Sequence, residues 1–126
     1  MGLFSSFLKR FDSQVETGDH NPDDRLKTHY YKADLRKVLS EIEQVLKGKN
    51  AVIGTVSYDH GELSATIKSP MKAFVVASIV SVRPFETALD FTISTEMKKI
   101  TGNYNVLADL IHSLYLEMDQ RVPIKK

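Results

Sequence analysis

Between Ala51 and Thr95 the chain reverses three times at short turn-forming segments, and in between it alternates apolar with small or polar residues. Alternation of period two, bounded by turn residues, is the mark of strands buried on one face. Four runs carry it: Ala51–Tyr58, Glu62–Lys68, Lys72–Val82 and Thr87–Thr95. The reversals fall at Asp59-His60-Gly61, whose glycine accepts a positive φ, at Ser69-Pro70-Met71, and at Arg83-Pro84-Phe85-Glu86. Such short connections make neighbouring runs antiparallel.

Alternation also predicts which side chains share a face. Closing the reversals around 59–62, 69–72 and 83–86 sets Tyr58 against Leu63, Val56 against Ala65 and Ile67 against Phe74. It likewise sets Val80, Ser78 and Val76 against Leu89, Phe91 and Ile93. In that register the bulky residues of these pairs share one face. The opposite face carries Ile53, Thr55, Ser57, Ser64, Thr66, Asp90 and Thr92, with an apolar strip of Ala73, Val75, Ala77 and Ile79 through its middle.

Two helices are expected on the bulky face. Leu35, Val38, Leu39, Ile42, Val45 and Leu46 recur at helical spacing, after Asp34 as N-cap and before Gly48. Beyond Gly102, the positions Leu107, Leu110, Ile111, Leu114, Met118 and Val122 mark a second helix, which Pro123 ends. His29, Tyr30 and Tyr31 read as a short first strand, in which only one of the two tyrosines can face the core. The expected fold is therefore α+β: an antiparallel sheet of about five strands, ordered β-α-β-β-β-β-α, with two helices on one face.

The first 27 residues read differently. Leu3, Phe4, Phe7, Leu8 and Phe11 form an apolar stripe opposite Ser5, Ser6, Lys9 and Arg10, an amphipathic segment of residues 1–11. Residues 12–27 are polar and rich in Asp, Asn, Gly and Pro, the composition of a tether. The expected division is residues 1–27 as segment and tether and 28–126 as the domain. The stripe suits peripheral contact with a membrane surface, or packing on its own domain or a dimer mate. Met1-Gly2-Leu3-Phe4-Ser5-Ser6 also fits the short myristoylation pattern.

Composition narrows the function classes. The 17 basic and 16 acidic residues leave a formal charge of +1, which creates no field to attract nucleic acid. The predicted outer face offers Lys68 and no aromatic side chain, too little to read bases from a sheet. No cysteine is present, so thiolate chemistry is excluded, and a cytoplasmic location is expected. The histidines His20, His29, His60 and His112 show no metal-ligand spacing, and no cofactor motif occurs. Arg83 and Glu86 are expected to stabilise their own turn.

The order strand, helix, four-stranded meander, helix resembles the TATA-box-binding-protein-like fold, and it is close to a shortened helix-grip fold. The segment VRPFETALDFTISTE, followed by LIHSLYLEMDQRVP, looks like a group of small uncharacterised cytosolic proteins of Gram-positive bacteria over roughly residues 28–123. The resemblance implies a fold and a bacterial origin, and no activity.

Three functions compete. A strand apolar on both sides implies that its outer strip is covered, so the leading expectation is a non-catalytic interaction or ligand-binding domain. It would form a homodimer through Ile53, Val75, Ala77, Ile79, Asp90 and Thr92. A carrier of a small apolar molecule would use a gap left by Gly54, Ala65 and Ser78 beneath the C-terminal helix. An enzyme would need Asp90, His29 or Tyr31 to converge, with Asp90 as an acid or base beside apolar surface.

Overall fold

The computed structural model describes residues 13–96 and 103–125. The amphipathic segment over residues 1–11 lies outside them. The elements are β1 (Ser13–Glu16), a 3-10 turn (Asp24–Leu26), β2 (His29–Tyr31), α1 (Leu35–Gly48), β3 (Val52–Ser57), β4 (Glu62–Ile67), β5 (Ala73–Arg83), β6 (Glu86–Thr95) and α2 (Tyr104–Arg121). They form an α+β fold with one antiparallel sheet of six strands and two helices. The sheet runs β1-β6-β5-β4-β3, and β2 also pairs with β6, beyond the end of β1.

Local chemistry explains the helix ends. The Asp34 carboxylate accepts a hydrogen bond from Lys37 N at 2.9 Å and so caps α1. At the other end, Lys49 N reaches back to the carbonyl of Leu46 at 3.1 Å, and Asn50 takes a positive φ. Val38, Leu39, Ile42, Val45 and Leu46 of α1 and Leu107, Ile111, Leu114 and Met118 of α2 are all fully buried against the sheet. Gly61 sits at φ 64°, and a Cβ there would lie 2.1 Å from the Ile79 carbonyl oxygen, so the first hairpin requires glycine.

The expected order of elements holds, but β5 shows the opposite face to the helices. Ile67 pairs with Ala73, not Phe74, because residues 68–72 form a longer loop that turns Met71 into the core at 4% exposure. At its other end β5 shifts by one residue between Ser81 and Arg83, so Ile79, not Val80, faces Leu89. The two single-residue slips cancel for β6: Leu89, Phe91 and Ile93 stay inside. They do not cancel for β5, whose every side chain changes face. Val75, Ala77 and Ile79 therefore lie in the core at 0–2% exposure, and Phe74, Val76, Ser78 and Val80 point outward. A second irregularity, between Ile53 and Val56, puts Ile53 opposite Ala65 on the helix side, half-buried against the core.

Residues 13–27 are no tether. Ser13–Glu16 pair with Thr95–Thr92, and Val15 and Leu26 enter the core. A four-residue strand is too short to show periodicity, and the polar residues around Leu26 serve its turn. Asp23 caps that turn by accepting from Arg25 N at 3.0 Å.

This register sets a stability contrast. Ile79→Ala should cost about 2–5 kcal/mol in urea unfolding. Val80→Ala should stay within about 0.5 kcal/mol of the unmodified protein, as at other exposed positions. The opposite ranking would restore the other face of β5 to the core.

Candidate functional site

Two regions merit description as sites: the sheet face turned away from the helices, and a polar cluster between β2 and α2. The outer face follows from the register. Phe74 lies between Thr66 and Ser94, Val76 between Ser64 and Thr92, Ser78 beside Asp90, and Val80 beside Ala88. The centre of the face is thus one apolar strand flanked by short hydroxyl side chains. At one end a groove of about 220 Å³ is lined by Thr66, Lys72, Phe74 and Ser94. At the other end Val80 and Val82 are 58% and 46% exposed, and Phe85 at the hairpin tip is 71% exposed and lines a separate groove with Ala33, Asp34, Lys37 and Pro123. Phe85 carries φ 57°, a left-handed conformation that costs a side-chain-bearing residue about 1 kcal/mol.

The outer face also contains aromatic side chains, Phe74 and Tyr30, contrary to the expectation from alternation alone. Among the described residues, Lys72 is the cation that lines its groove. Stacking surface without a basic field is poor equipment for nucleic acid.

The polar cluster was not foreseen as a unit. His29 and Tyr31 alternate on β2 and so point to the same side, beneath α2. Tyr115 and Asp119 are one helical turn apart and share a face of α2. The Tyr31 hydroxyl donates to Asp119 Oδ1 at 2.7 Å, and His29 Nδ1 lies 3.0 Å from the same oxygen. The His29 ring stacks on Tyr115, with centroids 3.7 Å apart. Tyr115 donates its hydroxyl to the Leu89 carbonyl at 2.7 Å. A carboxylate in the last turn of a helix opposes the helix dipole, and the two donors offset that cost.

Burial, then the hydrogen bond to anionic Asp119, hold the Tyr31 phenol well above its ordinary pKa. Burial does the same for Tyr115, opposed by its contact with the Thr17 hydroxyl and with a further upward push from the Asp90 charge.

Asp90 occupies the outer side of the sheet, where β1 ends and β2 begins. Its Oδ1 accepts from Thr17 Oγ1 and from Thr28 Oγ1, each at 2.6 Å. The carboxylate fastens the end of β1 to the start of β2. The three residues of the enzymatic reading are thus divided. His29 and Tyr31 meet at Asp119 under α2, and Asp90 stands on the other face. The cluster can hold an imidazole in one orientation, as a general base requires. Asp119 and Tyr115 escaped sequence reasoning, although their i, i+4 spacing opposite an i, i+2 pair on a strand was the available signal.

The other candidates disperse. Among the interface residues, Ile53, Val75, Ala77 and Ile79 face the helices, and only Asp90 and Thr92 remain on the outer side. Of the expected gap residues, Ala65 lies in the core, Gly54 is exposed and Ser78 points outward. Glu86 pairs with Lys125 at 2.7 Å instead of with Arg83. His112, His20 and His60 are exposed. Among the described residues, no group of three or more His, Asp or Glu side chains is placed to hold a metal ion, and no helix is long and apolar enough to cross a membrane. No protein-family model and no curated protein sequence matches the chain.

The raised phenol pKa values predict alkaline sensitivity. The folded state favours neutral Tyr31 and Tyr115, so their contribution is complete below the unfolded tyrosine pKa of about 10 and is lost as pH climbs past it toward the folded values. Unfolding free energy followed from pH 8 to 11 should fall above about pH 10, by up to about 1.4 kcal/mol per pH unit for each such tyrosine. Tyr31→Phe should lower stability at neutral pH by about 1–3 kcal/mol, because Asp119 loses a donor. The same variant should show a shallower alkaline fall. An unchanged slope would exclude Tyr31 as one of the titrating groups.

Proposed function

We propose that this chain is a non-catalytic interaction domain that self-associates as a homodimer through the open end of its outer sheet face. One observation carries the reading: Val80 and Val82 of β5 are 58% and 46% exposed, and Phe85 at the tip of the same hairpin is 71% exposed. Isolated exposed apolar side chains are ordinary, but three within six residues of one hairpin are the kind of surface that an interface uses. Phe85 adds to the case, since Gly or Asn would sit more comfortably at φ 57°. A strained, exposed aromatic is a feature a hairpin tip does not need for folding.

Two copies related by a two-fold axis would each bring the same hairpin surface, so every apolar side chain gains a partner. Residues Asp90 and Thr92 lie nearer the centre of this face than the hairpin does, and Asp90 is already held by Thr17 and Thr28. They would form the polar margin of the contact. A cytoplasmic setting, a bacterial origin and the TATA-box-binding-protein-like element order belong to this same proposal. Self-association, not nucleic-acid binding, is the use that the weakly charged face supports.

Sedimentation velocity over a concentration series tests the idea. The unmodified protein should run as a dimer at high concentration. The full chain carrying Val80→Lys and Phe85→Asn should run as a monomer with an undiminished thermal transition, because Asn tolerates the left-handed backbone. A monomer at every concentration in the unmodified protein would overturn the proposal.

A further inference from the structure

Among the described residues, the buried hydroxyl groups of β6 are answered, with one exception. Thr87 Oγ1 donates to the Ala33 carbonyl at 2.6 Å, and Thr95 Oγ1 donates to the Lys72 carbonyl at 2.8 Å. Ser94 is 0% exposed, and its Oγ is buried without a hydrogen-bond partner. A buried hydroxyl left unpaired costs free energy, and alanine at the same position would avoid that cost. The strand does not need the serine; a ligand beside it would use it.

Ser94 borders the groove at the start of β5. Phe74 pairs with Thr66 on one side and with Ser94 on the other, so the three form one row across β4, β5 and β6. That row is about 10 Å wide at 4.7–4.9 Å per strand. Phe74 and Ala73 give the groove an apolar wall, and Thr66 and Ser94 bring hydroxyl groups to it. Lys72 and Glu96 line it as exposed residues, one of each charge. The Thr95 bond to the Lys72 carbonyl fixes the backbone that carries the ammonium. At about 220 Å³ the groove is smaller than the roughly 300–1,000 Å³ of pockets for drug-sized molecules, so its occupant is small.

We infer that this groove binds a small monocarboxylic acid with an apolar body. The Lys72 ammonium takes the carboxylate, Ser94 Oγ donates to the ligand and gains its missing partner, and the hydrocarbon lies on Phe74 and Ala73. Glu96 repels a second negative charge, which disfavours phosphate and dicarboxylates. The inference does not rest on self-association, because Phe74 and Val80 are about 20 Å apart along β5.

The test is a titration of the isotope-labelled full chain with hexanoate and with benzoate, followed by its amide signals. Thr66, Phe74 and Ser94 should shift along saturable curves at millimolar acid, and Leu116, exposed on α2, should stay in place. Hexanamide, benzamide and inorganic phosphate should bind at least about tenfold more weakly, since none offers a single carboxylate to the lysine. Lys72→Gln and Ser94→Ala should each weaken acid binding about tenfold. Ser94→Ala should also leave the thermal transition of the free protein unchanged or raised, because it removes an unpaired hydroxyl. The full chain carrying Val80→Lys and Phe85→Asn should bind the acids like the unmodified protein, which separates this result from the fate of the dimer. Absence of saturable shifts with either acid, unchanged affinity in the Lys72 and Ser94 variants, or a lowered Ser94→Ala transition would overturn the inference.

Discussion

The packing of β5 between β4 and β6, with Val75, Ala77 and Ile79 beneath the helices, is the constraint on which the rest of the structure depends. β5 is the longest strand and has a paired neighbour on each side, so its register decides which side chains of the sheet meet α1 and α2. Small residues at Ala73 and Ala77 alternate with Val75 and Ile79, while the bulk of the core comes from Leu63, Ile67, Leu89, Phe91 and Ile93 on the flanking strands. Mixing small central residues with large flanking ones lets the layers interdigitate at interior density. The same register sends Phe74, Val76 and Val80 outward, and the apolar outer surface exists for that reason.

A second set of interactions ties the N-terminal part of the domain to this framework. β1 and β2 are only four and three residues long; each pairs with β6, and Val15 and Tyr31 enter the core. Polar contacts add to this hold. Asp90 gathers Thr17 and Thr28 on one side of the sheet, and Asp119 gathers His29 and Tyr31 on the other. Tyr115 links the two sides, since its ring stacks on His29 and its hydroxyl lies 3.3 Å from Thr17 Oγ1. Both carboxylates are answered by donors, as partly buried anions must be. Residues that looked like candidates for chemistry are, in the folded chain, occupied in joining strands.

The outer face is thereby the part of the molecule with surface left over. Exposure varies along it: Val76 is 3% exposed, while Val80 and Val82 near the hairpin are 58% and 46% exposed. A sheet with one face packed by helices and the other partly apolar has two ordinary uses for that second face, an intramolecular lid and an intermolecular contact.

Much of the fold was legible in the amino-acid sequence. The helical periodicity from Leu35 to Leu46, the Asp34 cap, the glycine turn at Gly61 and the antiparallel order of the four long strands all follow from interactions within a few residues, and these are written locally. So was the division of Tyr30 from Tyr31, which alternation alone requires. The face of β5 was not legible. Both of its sides are apolar, so the alternating pattern has two solutions, and the choice rests on a five-residue loop with Met71 turned inward and an extra residue near Val82. Nor could β1 be seen, because four residues are too few to carry a period. The His29–Asp119–Tyr115 cluster joins residues about 90 positions apart, and only the packing of α2 on β2 and β6 could bring them together. Local sequence determined which elements form; the tertiary structure decided which sides they show each other, since a one-residue slip costs nothing locally and reverses every side chain of a strand.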